Sequence, residues 1–301
     1  MDRETREKLD KLLNEDKIDK KTYDEILSRF TEKEDDGEGN SEDSKESENN
    51  SDTGCTDQNH KENTDDEDND VINISGIGPM NNVRAGSLII SGIGRIKGHV
   101  NTKELKVSGA AEFSKDITSE KVNISGAVHG KTSLNSDEVT LSGRMEMNNI
   151  SCNNIKISGS ANINNLKSGK IYMSGDIKSE YVEGGYIETS GILQIKKVKC
   201  DELVMELYSG HSKIEEIDAD KIKITERGLK HKSINIFTKP SFNGYLSSSY
   251  IKCNDIYAEN LKASKIISVN AVIGDDCTID YLEAKTMDIS ENAIVKVKKF
   301  I

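Results

Sequence analysis

The chain has 301 residues, a net charge of −12 and a hydrophobic share of only 34%, with no Trp and 5% aromatic residues. A compact globular protein of this length normally carries more large apolar side chains. The acidity is local, because residues 31–70 hold 17 Asp or Glu against three Lys and leave 36 acids and 38 bases elsewhere. That near-neutral remainder lacks the clustered basic face of a nucleic-acid binder.

Residues 1–30 predict a short helical hairpin. Each predicted helix carries one apolar stripe, formed by Leu9, Leu12 and Leu13 in the first and by Tyr23, Ile26, Leu27 and Phe30 in the second. Helices of about ten residues are marginal alone, so the hairpin needs a partner. The segment LDKLLNEDKIDKKTYDEILSRF resembles the helical-hairpin modules of the SHOCT type, and this resemblance implies a role in oligomerisation or tethering.

Residues 31–70 predict a disordered acidic linker. They consist largely of Asp, Glu, Ser, Asn and Gly without periodicity. Such a segment buries too little apolar surface to offset its chain entropy.

The sequence predicts a cytoplasmic protein without a transmembrane segment. The first residues, MDRETREKLDKLL, lack the apolar stretch of a secretory signal, and no apolar run in the chain is long enough to span a membrane. The five cysteines, Cys55, Cys152, Cys200, Cys253 and Cys277, form no CxxC pair. This spacing favours free thiols over a zinc site or a disulfide framework.

Residues 71–301 contain an internal repeat. A Ser-Gly pair recurs with the glycine at Gly76, Gly92, Gly109, Gly126, Gly143, Gly159, Gly175 and Gly191. The period is therefore short and nearly constant, at about 16–17 residues per unit. Such a period is typical of a solenoid, whose units bury their apolar faces only by stacking on neighbours.

The repeat units have the apolar pattern of β-strands. Apolar residues stand four positions before each glycine, as in Ile72, and two positions before seven of the eight, as in Ile74. The residue between them is mostly polar, which indicates a strand with one face inward. The extra residue of the longer units falls in a turn and leaves the inward set intact. The sequence therefore predicts an all-β fold: a single-stranded, three-sided β-helix.

After Gly191 the pattern loosens but continues. Strand spacing persists in the pairs Met205 with Leu207, Ile222 with Ile224, Ile251 with Cys253, Ile267 with Val269, and Met287 with Ile289. Residues from about 227 to 250 interrupt it and predict a loop excursion. About thirteen coils stacked at ~4.8 Å would make a rod roughly 60 Å long.

The Ser-Gly pairs predict corners of the coil. A glycine-rich phosphate site needs a helix behind the loop, whereas another strand follows each pair here. We expect the glycines to supply a backbone angle that the corner needs, and the serine hydroxyls to bond along the stack.

The repeated φ-x-φ-S-G core and the closing segment VIGDDCTIDYLEAKTMDISENAIVKVKKF resemble the bactofilins, a family of bacterial polymer-forming cytoskeletal proteins, in their longer Gram-positive form. The resemblance covers roughly residues 71–301. It implies a right-handed β-helix that assembles without nucleotide into filaments, as a scaffold for cell-shape or envelope machinery. Its implied partners are copies of itself and envelope-associated proteins, which would also give a membrane association through partners. The longer rod, its interruption, the hairpin and the acidic linker depart from the family's shorter members.

The ends of the predicted rod are candidate polymer interfaces. A solenoid exposes an unpaired strand edge at each end unless a cap covers it. Repeated stacking of such ends without closure gives a filament. The candidate interface residues are Ile72, Ile74 and Ile77 at the first coil and Val295, Val297 and Phe300 at the last, with Phe300 the strongest candidate.

Two other functions remain open. A monomeric, rod-like interaction scaffold fits the hairpin, linker and rod almost as well. A β-helix enzyme of the acyltransferase or polysaccharide-degrading type is disfavoured, because the intervals do not match a hexapeptide register and the histidines His99 and His129 fall at different repeat positions. The excursion also contains no Asp or Glu that could serve as a catalytic acid. We expect no catalytic residue, no cofactor and no metal site.

Overall fold

A computed structural model describes residues 70–208, 210–226 and 244–301. The predicted hairpin, all of the predicted linker except Asp70, and residues 227–243 of the predicted excursion lie outside these ranges. The described residues form 19 strands in one parallel sheet and contain no helix. The all-β solenoid prediction is therefore confirmed, with about 13 turns.

The strands follow one another along the chain with few residues between them. The first nine are β1 Val71–Ile74, β2 Ile77–Met80, β3 Val83–Ile90, β4 Ile93–Ile96, β5 Val100–Val107, β6 Ala110–Phe113, β7 Ile117–Ile124, β8 Ala127–Leu141 and β9 Arg144–Ile157. The next five, which are 14 to 16 residues long, are β10 Ser160–Met173, β11 Asp176–Thr189, β12 Ile192–Leu207, β13 His211–Glu226 and β14 Tyr245–Ala258. The last five are β15 Leu261–Ile267, β16 Asn270–Ile273, β17 Thr278–Ala284, β18 Thr286–Ile289 and β19 Ile294–Phe300.

Each coil pairs in register with the next. Val71 pairs with Ser87 and Val83 with Val100, so the paired residues occupy equivalent positions in successive coils. Where a longer unit meets a shorter one, the register shifts between Gly130 and Ser133. The inward set on either side of this shift stays intact, as the sequence predicts.

The register stacks like positions into inward columns, meaning residues that occupy the same inward-facing position in successive coils. Because parallel pairs in register face the same side, the core is a set of such columns inside one tube. The buried apolar residues form a single cluster that runs from Val83 to Ala284. A large side chain in one coil lies against a small residue in the next coil. Phe113, the aromatic side chain inside the described core, lies next to Gly130.

The later coils keep the predicted alternation, but two predicted positions are wrong. Met205 and Leu207 are both buried in β12, as predicted, and Leu203 and Met205 continue the columns of Ile187 and Thr189. Ile266 is buried and Ser268 follows it inward, whereas Ile267 and Val269 are half-buried. Without a Ser-Gly pair as a marker, the sequence left the register of these coils undetermined.

Part of the predicted excursion belongs to the solenoid. Strand β14 begins at Tyr245, which pairs with His211 of β13. Residues 245–250 therefore belong to a coil rather than to the excursion. At the other end, the described ladder begins at Asp70, whose carbonyl accepts a hydrogen bond from Ser87 N at 2.9 Å.

The eight predicted glycines lie at one corner of the tube, but for a different reason than expected. In the described chain Gly210 is the glycine with a positive φ, so these eight need no special backbone angle. A Cβ on each of the seven after Gly76 would instead lie less than 3.0 Å from the carbonyl oxygen of the glycine one coil earlier. Close stacking of backbones at this corner is what excludes a side chain.

The corners of the last coils use left-handed residues instead. Gly210 has φ 86°, Asn260 has φ 52° and Asp276 has φ 57°. These are residue types that tolerate positive φ at low cost. The change of corner explains why the Ser-Gly signal stops after Gly191 while the strands continue.

Candidate assembly interface at the ends of the solenoid

The two ends of the described solenoid carry strand edges without a neighbour. At the first coil, β1 pairs with β3 and β2 pairs with β4, and neither has a second partner among the described strands. At the last coil, β18 pairs with β16 and β19 pairs with β17, again on one side. Free N–H and C=O groups on such edges favour pairing with another strand.

The first coil presents three large apolar side chains on its inward face and the isoleucine Ile77 on its outward face. Ile72, Ile74 and Met80 are half-buried against the core cluster because no described coil covers them. Ile77 points outward and is 74% exposed. Coil-on-coil stacking would therefore bury Ile72 and Ile74 directly, but Ile77 only if the contact extends over the outer face.

The last coil presents fewer inward apolar groups than the sequence suggests. Val295 is half-buried in the column of Ile279, whereas Val297 pairs with Tyr281 on the outer face and is 49% exposed. Between them and Phe300, Lys298 pairs with Leu282 and so occupies an inward position. A charged end group in an apolar column opposes simple stacking, since its ammonium group would have to leave water.

Phe300 is exposed because its column takes only small side chains. It pairs with Ala284, at the end of a column whose earlier members are Ala85, Thr102, Ser119, Ser136, Cys152, Ser168, Gly184, Cys200, Ala219 and Cys253. A phenyl ring does not fit this narrow corner, and Phe300 remains 68% exposed. The ring is thus available for contact beyond the end of the tube.

Exposed apolar side chains concentrate at the ends. Of the twelve large hydrophobic residues that are exposed in the described chain, six belong to the first or last coil: Val71, Ile77, Ile294, Val297, Phe300 and Ile301. Two coils in about thirteen would hold far fewer by chance. Clustered exposed apolar surface marks interaction sites in soluble proteins.

Comparison with known proteins adds nothing to this geometry. No family model, curated protein or solved structure matches the chain. The candidate site therefore depends on the described residues alone.

The histidines on the outer faces of the described solenoid lie apart from one another, on different coils. No group of three or more His, Cys, Asp or Glu side chains is placed to bind a metal there. His129 Nδ1 lies 3.1 Å from Glu146 Oε2, and His211 stacks on Tyr245 at 4.3 Å between ring centroids, on different coils. His60 and His231 lie outside the described residues. In the described ranges, no helix has the length and apolarity to cross a membrane.

One polar groove follows an outer corner of the early coils. Its volume is about 560 Å³, and its lining includes the hydroxyls of Thr102 and Ser119 and the carboxylate of Asp137. These groups bond to the solenoid itself: Thr102 Oγ1 donates to Ser119 Oγ at 3.3 Å, and Asn153 Nδ2 donates to Asp137 Oδ1 at 2.9 Å. The groove is a consequence of the small-residue column beneath it.

The four described cysteines are free thiols inside or at the edge of the tube. Burial raises the pKa of Cys200 and of Cys253 to about 12, and that of Cys277 to about 11. Burial also raises the pKa of Cys152, which is half-buried. Since the thiolate is the reactive species, burial lowers the reactivity of these thiols in the folded chain.

We predict that Cys200 and Cys253 resist alkylation by iodoacetamide at pH 8 in the native protein and react in urea. A pKa of about 12 reduces the thiolate fraction at pH 8 to roughly one part in ten thousand. Mass spectrometry of the tryptic peptides measures each site separately. Equal labelling rates with and without urea would show that these thiols do not lie in the core.

Proposed function

We propose that this chain is a structural protein that joins end to end with copies of itself into nucleotide-independent filaments. The observation that carries the proposal is the concentration of exposed apolar residues and one-sided strand edges at the two ends of the solenoid. Continuing the ladder into a second copy would pair those edges and cover those residues. Repetition of one such contact without closure gives a polymer.

The bactofilin-like repeat pattern supports the same proposal. In that family the filament is a cytoplasmic scaffold for cell-shape or envelope machinery. We propose this role here, with envelope-associated proteins as further partners.

A monomeric rod that acts as an interaction scaffold is the second candidate. Lys298 favours it, because a cation at the last inward position of the Leu282 column hinders the stacking of a further coil. The side chain of Lys298 is long enough to keep its ammonium group in water while its methylenes cover apolar surface. Lys298 therefore lowers the stability of a contact at this end without forbidding it.

We predict that Phe300→Asp abolishes filaments and leaves the β-rich circular dichroism unchanged. Phe300 is 68% exposed, so its replacement costs the isolated solenoid little, whereas a carboxylate at the contact would be desolvated. Sedimentation and negative-stain electron microscopy measure the loss of polymer. The matched control is Tyr208→Asp, which changes an exposed aromatic residue away from both ends.

Filaments that persist in Phe300→Asp would remove Phe300 from the interface. Loss of filaments in both variants would instead indicate a general effect of added negative charge.

A further inference from the structure

Each Ser-Gly corner points backbone donors toward the preceding coil. In all seven corners after the first, the N–H of the serine donates to a carbonyl two positions before the preceding glycine, and the N–H after the glycine donates to that preceding glycine's own carbonyl. At the second corner, for example, Ser91 N and Gly92 N donate to Ile74 O at 2.9 and 3.0 Å, and Ile93 N donates to Gly76 O at 2.9 Å.

The same corners hold the preceding carbonyl in the space that a Cβ would fill. From Gly92 to Gly191, the oxygen of the earlier glycine lies less than 3.0 Å from the ideal Cβ position. The glycine and these N–H donors together form a binding position for the backbone carbonyl groups of a neighbouring coil, which we call a seat. In the seven later corners, carbonyl groups of the preceding coil occupy this seat.

The first corner has the same seat without an occupant among the described residues. Ser75, Gly76 and Ile77 repeat the sequence pattern, yet no described atom lies within 4 Å of the Cβ position of Gly76. No described carbonyl accepts a hydrogen bond from the N–H groups of Ser75 or Gly76. Nothing in the described solenoid therefore requires glycine at position 76, whose φ is not in the left-handed region.

We infer that the Ser75–Gly76–Ile77 corner is a seat for backbone carbonyl groups of a second copy of this chain. This assignment rests on the proposed self-assembly and places its closest contact at this corner. The seven internal corners show which group fills such a seat, namely the carbonyl edge of a β-coil. A second copy carries that edge at its last coil, where Ile273 O accepts from Ser290 N at 2.8 Å and Ile289 is the next residue in the same column.

If a second copy binds at this corner, alanine substitutions at the two glycines of the first coil, Gly76 and Gly78, should affect assembly differently. Gly78 has no described atom within 4 Å of its Cβ position either, but its column accepts side chains in later coils, including Ala111, Val128 and Met145. An alanine at position 78 therefore fits a stacked second copy, whereas an alanine at position 76 collides with it.

The test compares Gly76→Ala with Gly78→Ala in the full chain. Sedimentation over a concentration series and electron microscopy measure assembly, and thermal unfolding below the assembly concentration measures the stability of the single chain. We expect Gly76→Ala to unfold at the wild-type temperature but to need about tenfold or more protein for assembly, because the added methyl group overlaps the incoming carbonyl. Gly78→Ala should assemble as the wild type does.

Three results would overturn the inference, and they are distinguishable. Equal assembly of Gly76→Ala and wild type would remove this corner from the contact while leaving the proposed function intact. A lower unfolding temperature of the unassembled Gly76→Ala chain would show that the chain fills the seat itself. A wild-type chain that forms no filament at any concentration would reject the proposed function, and the inference with it.

Discussion

Replacing Gly143 with alanine should destabilise the solenoid by about 3 kcal/mol or more, a large effect for a single methyl group. The added Cβ would lie less than 3.0 Å from Gly126 O, and the flanking backbone of Ser125 is close as well. Neither neighbour can move without breaking the ladder, since Arg144 N donates to Gly126 O and Ser142 N donates to Ile124 O. Chemical denaturation followed by circular dichroism measures the loss.

Gly185→Ala is the matched control for this substitution. It changes another glycine within the stack, but its Cβ would meet Gly169 O at 3.1 Å, a contact that a small shift relieves. We expect a change below about 1 kcal/mol, because the reduced entropy of the unfolded chain partly offsets the tight contact. Similar losses for the two variants would contradict the close-approach explanation of the Ser-Gly corner.

Leu282 and Lys298 are the last two residues of one inward column, and substitutions at these two positions should have opposite effects on stability and assembly. Leu282→Lys places an unpaired ammonium group in a fully buried position and should cost more than about 3 kcal/mol, or unravel the last coils. Lys298→Leu, one coil later and unstacked, should leave the isolated chain at least as stable and lower the concentration needed for assembly. Denaturation and sedimentation measure the two effects.

The conservative variant Leu282→Met separates the charge from the loss of packing. It retains an apolar side chain of similar volume and should cost less than about 1.5 kcal/mol. If Lys298→Leu raised the concentration needed for assembly, Lys298 would contribute to the contact instead of opposing it, and the register at this end would need revision.

The early coils could be predicted from sequence because one strong marker fixes their register. Ile72 and its seven equivalents all lie at a constant distance from a glycine, and the period-two alternation then assigns the inward face. The later coils lack that marker, so the sequence pattern assigns Ile267 and Val269 inward although Ile266 and Ser268 occupy those positions. A shift of the register by one position exchanges the inward and outward faces of a strand, so periodicity alone cannot assign the inward face of the later coils.

The role of the corner glycines could not be predicted for a related reason. Sequence shows that a side chain is absent but not whether the cause is a backbone angle or a close neighbour. The neighbour of Gly143 is Gly126, one coil earlier, and their contact depends on the stacking of whole coils.

The candidate interface could be predicted only in part. An apolar-rich first and last coil is visible in the sequence, and the half-buried Ile72, Ile74 and Val295 lie at the expected ends. The inward placement of Lys298 and the exclusion of Phe300 from a small-residue column depend on the register with Leu282 and Ala284. Aligning the last strand with the strand one coil earlier in the sequence would have suggested the placement of both residues.

Negative-stain electron microscopy of the purified full chain over a range of concentrations tests self-assembly most directly. A single solenoid of about thirteen coils is roughly 60 Å long at a strand spacing of ~4.8 Å. We expect unbranched filaments many times longer than this, formed without added nucleotide. Uniform particles of about that single-solenoid length at every concentration would contradict end-to-end assembly.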